Sequence, residues 1–338
     1  MHIEKYIESI KACRFCFMCR HLSPVGNVTF TEADTPRVRA SLLYGVTMYP
    51  ERLTNEDLIK TMYRADLSGC CRRNCVNHYD ETGIVLSYRA DLAEAGAVPE
   101  NIREIASKLK KLPPWTVSGT GKVVYVADDY SIQSGAASAF AKLAGKCKTV
   151  KGGSCGKGLW VLGFRKEAKA LAKKFLEILE SAKAETIVVS HTGIYDFLVN
   201  TFPEMGLKVK GKVMHSSEYL AGLDLKKKLG RLYYLESDFL RNYNNDYPFP
   251  VQVLKANGAK ILPFGTNDEE SYSCGEGALV LDKIEPALVE KLAKYVEARA
   301  DHPEKDVIAV ASPYTKVQLK KYTVLNVKTI EELLAEAR

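Results

Sequence analysis

The chain has 338 residues, 46% hydrophobic and 26% charged, a composition typical of a globular protein large enough for two domains. No apolar run reaches the roughly 18 residues that a bilayer-spanning helix needs, and no signal segment precedes the cysteines, so we expect a cytoplasmic protein without a membrane span. The net charge is +7, but the lysines are scattered on amphipathic stretches such as 165–183, which indicates a solvated face rather than nucleic-acid binding.

Three cysteines near the N-terminus, Cys13, Cys16 and Cys19, follow one another at intervals of three. This is the spacing of the loop that wraps three corners of a cubane 4Fe-4S cluster. Nine cysteines without a secretory signal also favour metal binding over disulfides. In two-cluster ferredoxins the fourth ligand is the last cysteine of the partner motif, which here is Cys75. We therefore predict one 4Fe-4S cluster, held by Cys13, Cys16, Cys19 and Cys75.

The same counting argues against a second cluster. Its ligand positions are Ser23, which is followed by Pro24, and Ala65, Ser68 and Cys71. Only Cys71 among these is a thiol. Cysteines are therefore missing from the ligand set of the second cluster, whereas the ligand set of the first cluster is complete.

Two alternatives stay open for the cysteine motifs. Four thiolates also suit structural zinc, although zinc sites usually consist of two C-x2-4-C pairs. Cys70 or Cys71 can replace Cys75 as the fourth ligand. Alternatively, Cys70 and Cys71 are two half-buried apolar thiols.

Taken in order, residues 1–110 read as mostly helical around the cysteines. Thr54 is the predicted N-cap of a helix with Leu58, Ile59 and Met62 on its apolar face, and further helices are expected at 84–95 and 101–112. About fifty residues with a helix separate the cysteine motifs, which favours an all-helical ferredoxin type. The stretch 111–121 contains a Pro pair and glycines and is predicted to be a linker.

From residue 122 onward, short β-branched runs alternate with helical patterns, the signature of an α/β fold with parallel strands. The predicted strands are 123–127, 186–190, 232–235, 306–311 and 323–327, and the predicted helices are 166–183, 286–300 and 329–337.

An internal repeat lies within this half. Each copy presents a strand, a Gly-rich Cys loop, a helix and a strand in the same order. The matching residues are Asp129 and Asp238, Ser154-Cys155-Gly156 and Ser273-Cys274-Gly275, and His191 and Ser312.

With these motifs the chain resembles the CCG-domain iron-sulfur subunit family, which includes the iron-sulfur subunits of heterodisulfide reductase, glycolate oxidase and anaerobic glycerol-3-phosphate dehydrogenase. The resemblance implies an α/β fold class with an N-terminal all-helical ferredoxin-like domain (1–110), a linker (111–121) and a duplicated α/β CCG-type domain (122–338). The family positions that carry thiols for noncubane clusters mostly hold other residues here. They are Asp129, Ser154, His191 and Ile194 in the first copy and Asp238, Ser273, Ser312 and Thr315 in the second. Only Cys155 and Cys274 remain, so we expect no noncubane cluster.

One further metal site is conceivable in this half. Asp129, Cys155 and His191 are a plausible ligand set for zinc or iron if the fold brings them together. The alternative, which we favour, is that His191 is a polar residue hydrogen-bonded at a strand end.

The function predicted in this way is electron transfer by a subunit of an oxidoreductase complex, without catalytic residues of its own. By resemblance, its partner is an FAD-dependent dehydrogenase. The expected contact surface is the cluster loop with Arg14, Phe15, Phe17 and Arg20, although the two phenylalanines can equally pack around the cluster. A catalytic heterodisulfide or thiol reductase using Cys155 and Cys274, and a non-redox assembly scaffold with a structural cluster, are the alternatives.

Overall fold

The N-terminal part of the molecule is helical. The computed structural model describes residues 1–16, 18–266 and 269–337. In the described residues up to 110, regular structure consists of α-helices and short 3-10 turns. The α-helices are α1 Ile7–Cys13, α2 Pro24–Thr29, α3 Pro36–Met48, α4 Glu56–Tyr63, α5 Cys70–Asn74, α6 Glu81–Glu94 and α7 Glu100–Lys110. The helices predicted at 84–95 and 101–112 are therefore confirmed as α6 and α7.

The N-cap of α4 differs from the prediction. Asn55 caps this helix, because its Oδ1 accepts a hydrogen bond from the backbone N–H of Leu58 at 3.0 Å. Thr54 instead ends the preceding 3-10 turn, Pro50–Thr54. Both side chains can cap a helix, and the 3-10 turn decides which of them reaches the free N–H groups.

Two sheets organise the rest of the chain, which has mixed α/β structure. The first sheet contains β1 Thr116–Gly119, β2 Val123–Ala127, β3 Lys148–Lys151, β4 Thr186–Val189 and β5 Lys212–His215, and the second contains β6 Gly230–Leu235, β7 Ala259–Leu262, β8 Val307–Val310 and β9 Asn326–Thr329. Their strand orders are β1-β3-β2-β4-β5 and β7-β6-β8-β9. All pairings are parallel except that of β1 with β3. The parallel part of the first sheet thus has the strand order of the second.

Helices connect and flank these strands. They are α8 Asp129–Gln133, α9 Ala136–Ala144, α10 Lys157–Leu162, α11 Arg165–Ser181, α12 Thr192–Asp196, α13 Phe202–Glu204, α14 Ser216–Ala221, α15 Phe249–Ala256, α16 Leu281–Ile284, α17 Pro286–Glu297, α18 Pro313–Tyr322 and α19 Ile330–Glu336. The predicted helices at 166–183, 286–300 and 329–337 correspond to α11, α17 and α19. Two π-helical segments, Phe197–Thr201 and Phe239–Tyr243, follow α12 and β6.

The strand predictions are right for β2, β4, β6 and β8, whose apolar runs are buried. The run predicted at 323–327 begins later, at Asn326, because Thr323 is still the C-cap of α18. The predicted linker 111–121 contains β1, which pairs with β3, so this stretch is not free of regular structure. Its prolines end α7, but they lie before Thr116 and do not prevent a strand there.

The helical part is tied to the first sheet's helices through buried side chains. Arg89 of α6 is fully buried and donates from Nη1 to the carbonyl of Val161 at 3.0 Å and from Nε to the carbonyl of Met62 at 3.1 Å. Tyr63 donates to the carbonyl of Leu162 at 3.0 Å. Buried hydrogen bonds of this kind fix the position of the helical part against α10.

The C-terminal helix joins the two sheets. Glu331 of α19 is fully buried and accepts hydrogen bonds from the hydroxyls of Ser190 and Ser216, both at 2.5 Å. Ser190 follows β4, and Ser216 begins α14 directly after β5. The helix that follows the last strand of the second sheet therefore packs on elements of the first sheet. In the described residues, no helix is both long and apolar enough to cross a bilayer.

Candidate metal centre

Cysteines from two distant segments line the same cavity, whose volume is about 530 Å³. The first segment contributes Cys13, Cys16 and Cys19, and the second contributes Cys71 and Cys75. All four predicted ligands are therefore brought to one place, together with Cys71, which we had treated as an alternative.

Local structure explains how these thiols converge. Cys13 is the last residue of α1, and Cys19 immediately precedes the 3-10 turn Arg20–Leu22. Cys71 lies in the first turn of α5, and Cys75 is the C-cap of that helix, with its N–H donating to the carbonyl of Cys71 at 2.8 Å. Positions four apart on a helix share a face, so both thiols point toward the same side of α5.

Helix α5 is held in place from the second half of the chain. Asn242 donates to the carbonyl of Ser68 at 2.7 Å, and Tyr243 donates to the carbonyl of Leu67 at 2.5 Å. Gly69, the N-cap of α5, has a φ of 75°, and a Cβ at this position would meet the ring of Tyr243 at 3.0 Å. Only glycine combines that backbone conformation with so close an approach.

The other face of α5 carries Cys70. This thiol is fully buried, does not line the cavity, and accepts a hydrogen bond from Nδ2 of Asn242 at 3.6 Å. Burial raises the pKa of Cys70, and the nearby carboxyl of Asp238 raises it further. The geometry thus separates Cys70 from the other cysteines of the two motifs.

The cavity thiols influence one another electrostatically. Burial, together with the neighbouring Cys19 and Cys75, raises the pKa of Cys13 to about 12. A hydrogen bond between Cys71 and Cys19 lowers the pKa of Cys19 and raises that of Cys71. Cys19 is therefore the thiol that this contact favours as a thiolate, the form in which cysteine binds metal.

The spread of these sulfur atoms is larger than a single zinc ion requires. Zn–S bonds of about 2.3 Å place the four sulfurs of a tetrahedral site roughly 3.8 Å apart. Among the described residues, the potential ligand atoms that lie within 4.8 Å of one another in a group of three belong to His2, Asp91 and Glu94, which include no cysteine. Among the described residues, no three cysteine sulfurs are thus as close together as one zinc ion requires.

Tyr79 supplies a further polar group to the same cavity. Its side chain is 4% exposed, and its hydroxyl has no hydrogen-bond partner within the described part of the chain. Burial, with the charge of Cys13 as the next contribution, raises the pKa of Tyr79 well above its usual value, so the hydroxyl keeps its proton. A buried hydroxyl without a partner is costly unless a bound group accepts its hydrogen bond, as the sulfur atoms of a cluster do.

A buried ion pair lies next to the thiols. Arg39 and Glu81 are 1% and 7% exposed, and Arg39 Nη1 donates to Glu81 Oε1 at 2.5 Å. The carboxylate of Glu81 raises the pKa of Cys13, after burial and the neighbouring thiols Cys19 and Cys75. Arg39 thus compensates negative charge beside the site. Neither residue was singled out from the sequence, because an isolated Arg and Glu carry no motif.

The residues at the ligand positions of the missing second cluster make ordinary structural contacts. Ser23 caps α2 by accepting from the N–H of Gly26 at 3.2 Å, and its hydroxyl donates to the carbonyl of Asp34 at 2.7 Å. Ala65 and Ser68 are buried.

The mouth of the cavity is apolar and exposed. Cys16 is exposed, and Phe15, Met18 and Val76 beside it are 76%, 69% and 81% exposed. We call these three side chains the mouth patch. Phe15 therefore does not pack around the cavity, and the guanidinium of Arg14 lies 4.4 Å from the centre of its ring. Phe17 lies outside the described residues.

A second cavity lies in the part of the chain after residue 121, and its lining includes Asp129, Cys155 and His191. Asp129 is exposed, and the three ligand atoms do not form a group within 4.8 Å among the described residues. The carboxylate nearest to the ring of His191 is that of Asp128, with Oδ2 3.8 Å from Nε2. The predicted hydrogen bond of His191 at a strand end is confirmed, since its Nδ1 accepts from the N–H of Gly193 at 3.1 Å and caps α12.

Comparison with known proteins gives limited similarity. No protein-family model matches the chain. A curated protein named EtfAB:quinone oxidoreductase, from Syntrophomonas wolfei subsp. wolfei (strain DSM 2245B / Goettingen), is 28% identical over 166 residues, which cover 47% of this chain and 23% of that protein. The chain thus spans under a quarter of the length of this relative. The crystal structure of a hypothetical protein from Helicobacter pylori covers 99% of this chain, and the chain covers 76% of it, with a TM-score of 0.60 at 10% identity. That similarity concerns the fold alone.

Proposed function

We propose that this chain is an electron-transfer iron-sulfur protein that holds one 4Fe-4S cluster through Cys13, Cys16, Cys19 and Cys75. The observation that carries the proposal is the convergence of these thiols, from segments far apart in the sequence, on the same cavity. A cubane cluster bound there supplies one-electron transfer.

The surrounding residues have distinct roles in this proposal. The hydroxyl of Tyr79 donates a hydrogen bond into the cavity, which stabilises negative charge on sulfur. The guanidinium of Arg39 compensates the carboxylate of Glu81 beside the thiols. Cys71 lowers the pKa of Cys19, which favours the thiolate form that binds metal.

We further propose that the chain belongs to an oxidoreductase complex and exchanges electrons with an FAD-dependent dehydrogenase. The name of the Syntrophomonas wolfei relative, EtfAB:quinone oxidoreductase, describes a redox protein and supports this placement. The mouth patch supports contact with another protein, because exposed apolar side chains beside a redox centre are suited to a transient interface.

The division into a helical ferredoxin-like part (1–110), a linker (111–121) and a duplicated CCG-type part (122–338) belongs to the same proposal. The shared strand order of β3-β2-β4-β5 and β7-β6-β8-β9 supports the duplication. A cytoplasmic location is proposed because the cysteines, all of which are free, suit a reducing compartment.

The buried thiols of the second half do not favour the alternative of a thiol or disulfide reductase. Burial raises the pKa of Cys155 to about 12 and also raises that of Cys274. Exchange with a disulfide requires a thiolate, which these surroundings disfavour.

The test is the metal and sulfide content of anaerobically prepared protein. We expect about four iron and about four sulfide per chain, the content of one cubane cluster. Zinc without sulfide, or about eight iron per chain, would contradict the proposal. A cluster that biological one-electron donors cannot reduce would instead favour the non-redox scaffold. Anaerobic purification from the native cell then tests the partner, with a stable complex containing FAD as the supporting result.

A further inference from the structure

A cavity of about 770 Å³ lies at the carboxyl edge of the first sheet, apart from the cysteine cavity. Asp128 follows β2, Cys155 lies in the loop after β3, and His191 follows β4, and all three line it. Because β3 and β4 lie on opposite sides of β2, the chain reverses its direction of winding here. In open α/β sheets this reversal opens a crevice in which ligands bind.

The walls of this cavity are largely apolar. They come from α7, α12 and the segment before α16, with Leu109, Leu112, Trp115, Ile194 and Val280 among the lining side chains. A volume of this size falls in the range of about 300 to 1,000 Å³ that small-molecule sites occupy. These apolar side chains suit the body of an organic molecule.

A buried amide in the cavity wall lacks a partner. Gln318 of α18 is 2% exposed and lines the cavity, and its Oε1 makes no hydrogen bond within the described residues. A buried polar atom of this kind costs free energy unless something in the cavity bonds to it.

His191 offers a complementary group. Its Nδ1 accepts the N–H of Gly193, so we assign the proton of the neutral ring to Nε2. Nε2 lies 3.8 Å from the nearest oxygen of Asp128, which is beyond hydrogen-bond distance. That carboxylate instead accepts from Tyr130 N–H and from Ser131, as the N-cap of α8. The His191 N–H is therefore available to a bound molecule.

The matching loop of the second repeat copy is closed by a carboxylate. At the position that matches Lys157, this copy has Glu276, which is fully buried and accepts from the hydroxyl of Ser237 at 2.8 Å and from the N–H of Asp238 at 3.0 Å. In the first copy, Lys157 lines the cavity, and its Nζ donates to Asp196 at 2.7 Å. A carboxylate thus joins the loop ends in the second copy, whereas a lysine takes that position in the first.

We propose that this cavity binds a small organic molecule that has an apolar body and a hydroxyl group. The hydroxyl oxygen accepts from Nε2 of His191, and the hydroxyl proton is donated to Oε1 of Gln318. Cys155 borders the molecule without reacting with it, since burial keeps its thiol protonated. This binding site is independent of the cluster and of the proposed electron transfer.

The test uses benzyl alcohol as the probe and toluene as the matched probe that lacks the hydroxyl. Both are titrated into the full chain, prepared anaerobically, by ligand-observed NMR, and crystals are soaked in benzyl alcohol to locate it. We expect benzyl alcohol in this cavity and about tenfold weaker binding of toluene, the effect of hydrogen bonds to buried groups. Gln318→Leu should weaken the binding of benzyl alcohol by about tenfold and leave the binding of toluene unchanged.

A second pair of variants tests the location in solution. Val317 lines the cavity and is half-buried, whereas Val324 is 59% exposed and does not line it. Val317→Trp should abolish binding of both probes, and Val324→Trp should leave binding unchanged, with an unaltered unfolding temperature and iron content as the folding controls. Equal binding of the two probes, benzyl alcohol located elsewhere, or full binding to Val317→Trp would overturn the proposal.

Discussion

Cys19 and Cys71 line the same cavity although they belong to different cysteine motifs, and Cys71 lowers the pKa of Cys19. This contact makes Cys71 a near neighbour of a predicted ligand, while Cys75 stays the proposed fourth ligand. Cys75, one helical turn further along, lines the same cavity.

The fourth ligand is tested by alanine substitution. We expect Cys75→Ala to lower the iron content from about four to below about one per chain, because three thiolates leave one corner of the cluster open to solvent. Cys71→Ala and the control Cys155→Ala should retain about four iron per chain. Loss of iron in Cys71→Ala together with retention in Cys75→Ala would reverse the assignment.

The Cys19–Cys71 contact also predicts a specific oxidation product. When metal-free protein is treated with diamide, which takes up the two hydrogens of the thiols, we expect a disulfide between Cys19 and Cys71. The reason is that Cys71 lines the same cavity as Cys19 and lowers its pKa, which favours the attacking thiolate. Peptide mapping by mass spectrometry identifies the bond. Cys71→Ser should abolish it, and preferential pairing of Cys19 with Cys13 or Cys16 would show that the contact does not direct oxidation.

The mouth patch is expected to bind the electron-transfer partner. A double variant with Phe15→Glu and Val76→Glu should strongly reduce the amount of flavoprotein recovered with the tagged chain, because it places carboxylates on an apolar contact surface. Phe30→Glu is the matched control, since Phe30 is 88% exposed but lies at the end of α2 and does not belong to the mouth patch. The amount of FAD per chain is the measurement. Equal recovery with all variants would place the interface elsewhere.

Removal of Arg39 should destabilise the protein by about 3 to 5 kcal/mol, because Glu81 would be left as a buried carboxylate without its partner. Arg103→Leu breaks an exposed ion pair with Glu100 and should cost less than about 1 kcal/mol. Urea unfolding under anaerobic conditions measures the free energy of unfolding of Arg39→Leu and of this control. Equal effects would mean that the Arg39–Glu81 pair adds no more than a surface pair.

His215 should make the free energy of unfolding depend on pH in the acid range. Burial lowers the pKa of His215 to about 4, and the ring stays neutral, bonded to Ser217 Oγ at 2.8 Å and to the carbonyl of Ser190 at 3.0 Å. An unfolded His titrates near pH 6.5, so this contribution is complete above about pH 6.5 and is lost as the pH falls toward 4.

The expected loss between pH 7 and pH 5 is about 2 kcal/mol from this residue, if one pKa unit corresponds to about 1.4 kcal/mol. His215→Gln should unfold with a smaller difference between these two pH values. The exposed His302 provides the control, and His302→Gln should leave the difference unchanged. An identical pH dependence of wild type and His215→Gln would contradict the assignment.

The sequence by itself determined the elements whose signal is local. The buried β-branched runs of β2, β4, β6 and β8 and the helices α6, α7, α11 and α17 were predictable because periodicity records which side is buried. β3, β5 and β7 were missed, since they are short, carry lysine, and owe their extended form to the neighbouring strand. The spacing of Cys13, Cys16 and Cys19 likewise pointed to one site, because ligands on one loop are set by that loop alone.

Tertiary structure decided which distant residues meet. It alone placed Cys71 in the same cavity as Cys19 and left Cys70 outside that cavity. The direction of these side chains depends on where α5 begins, and that is set by Gly69, Asn242 and Tyr243. It also decided that Lys157 bonds to Asp196, whereas the matching Glu276 joins the loop ends. A sequence shows that two residues differ in charge, whereas their partners follow only from packing across the whole chain.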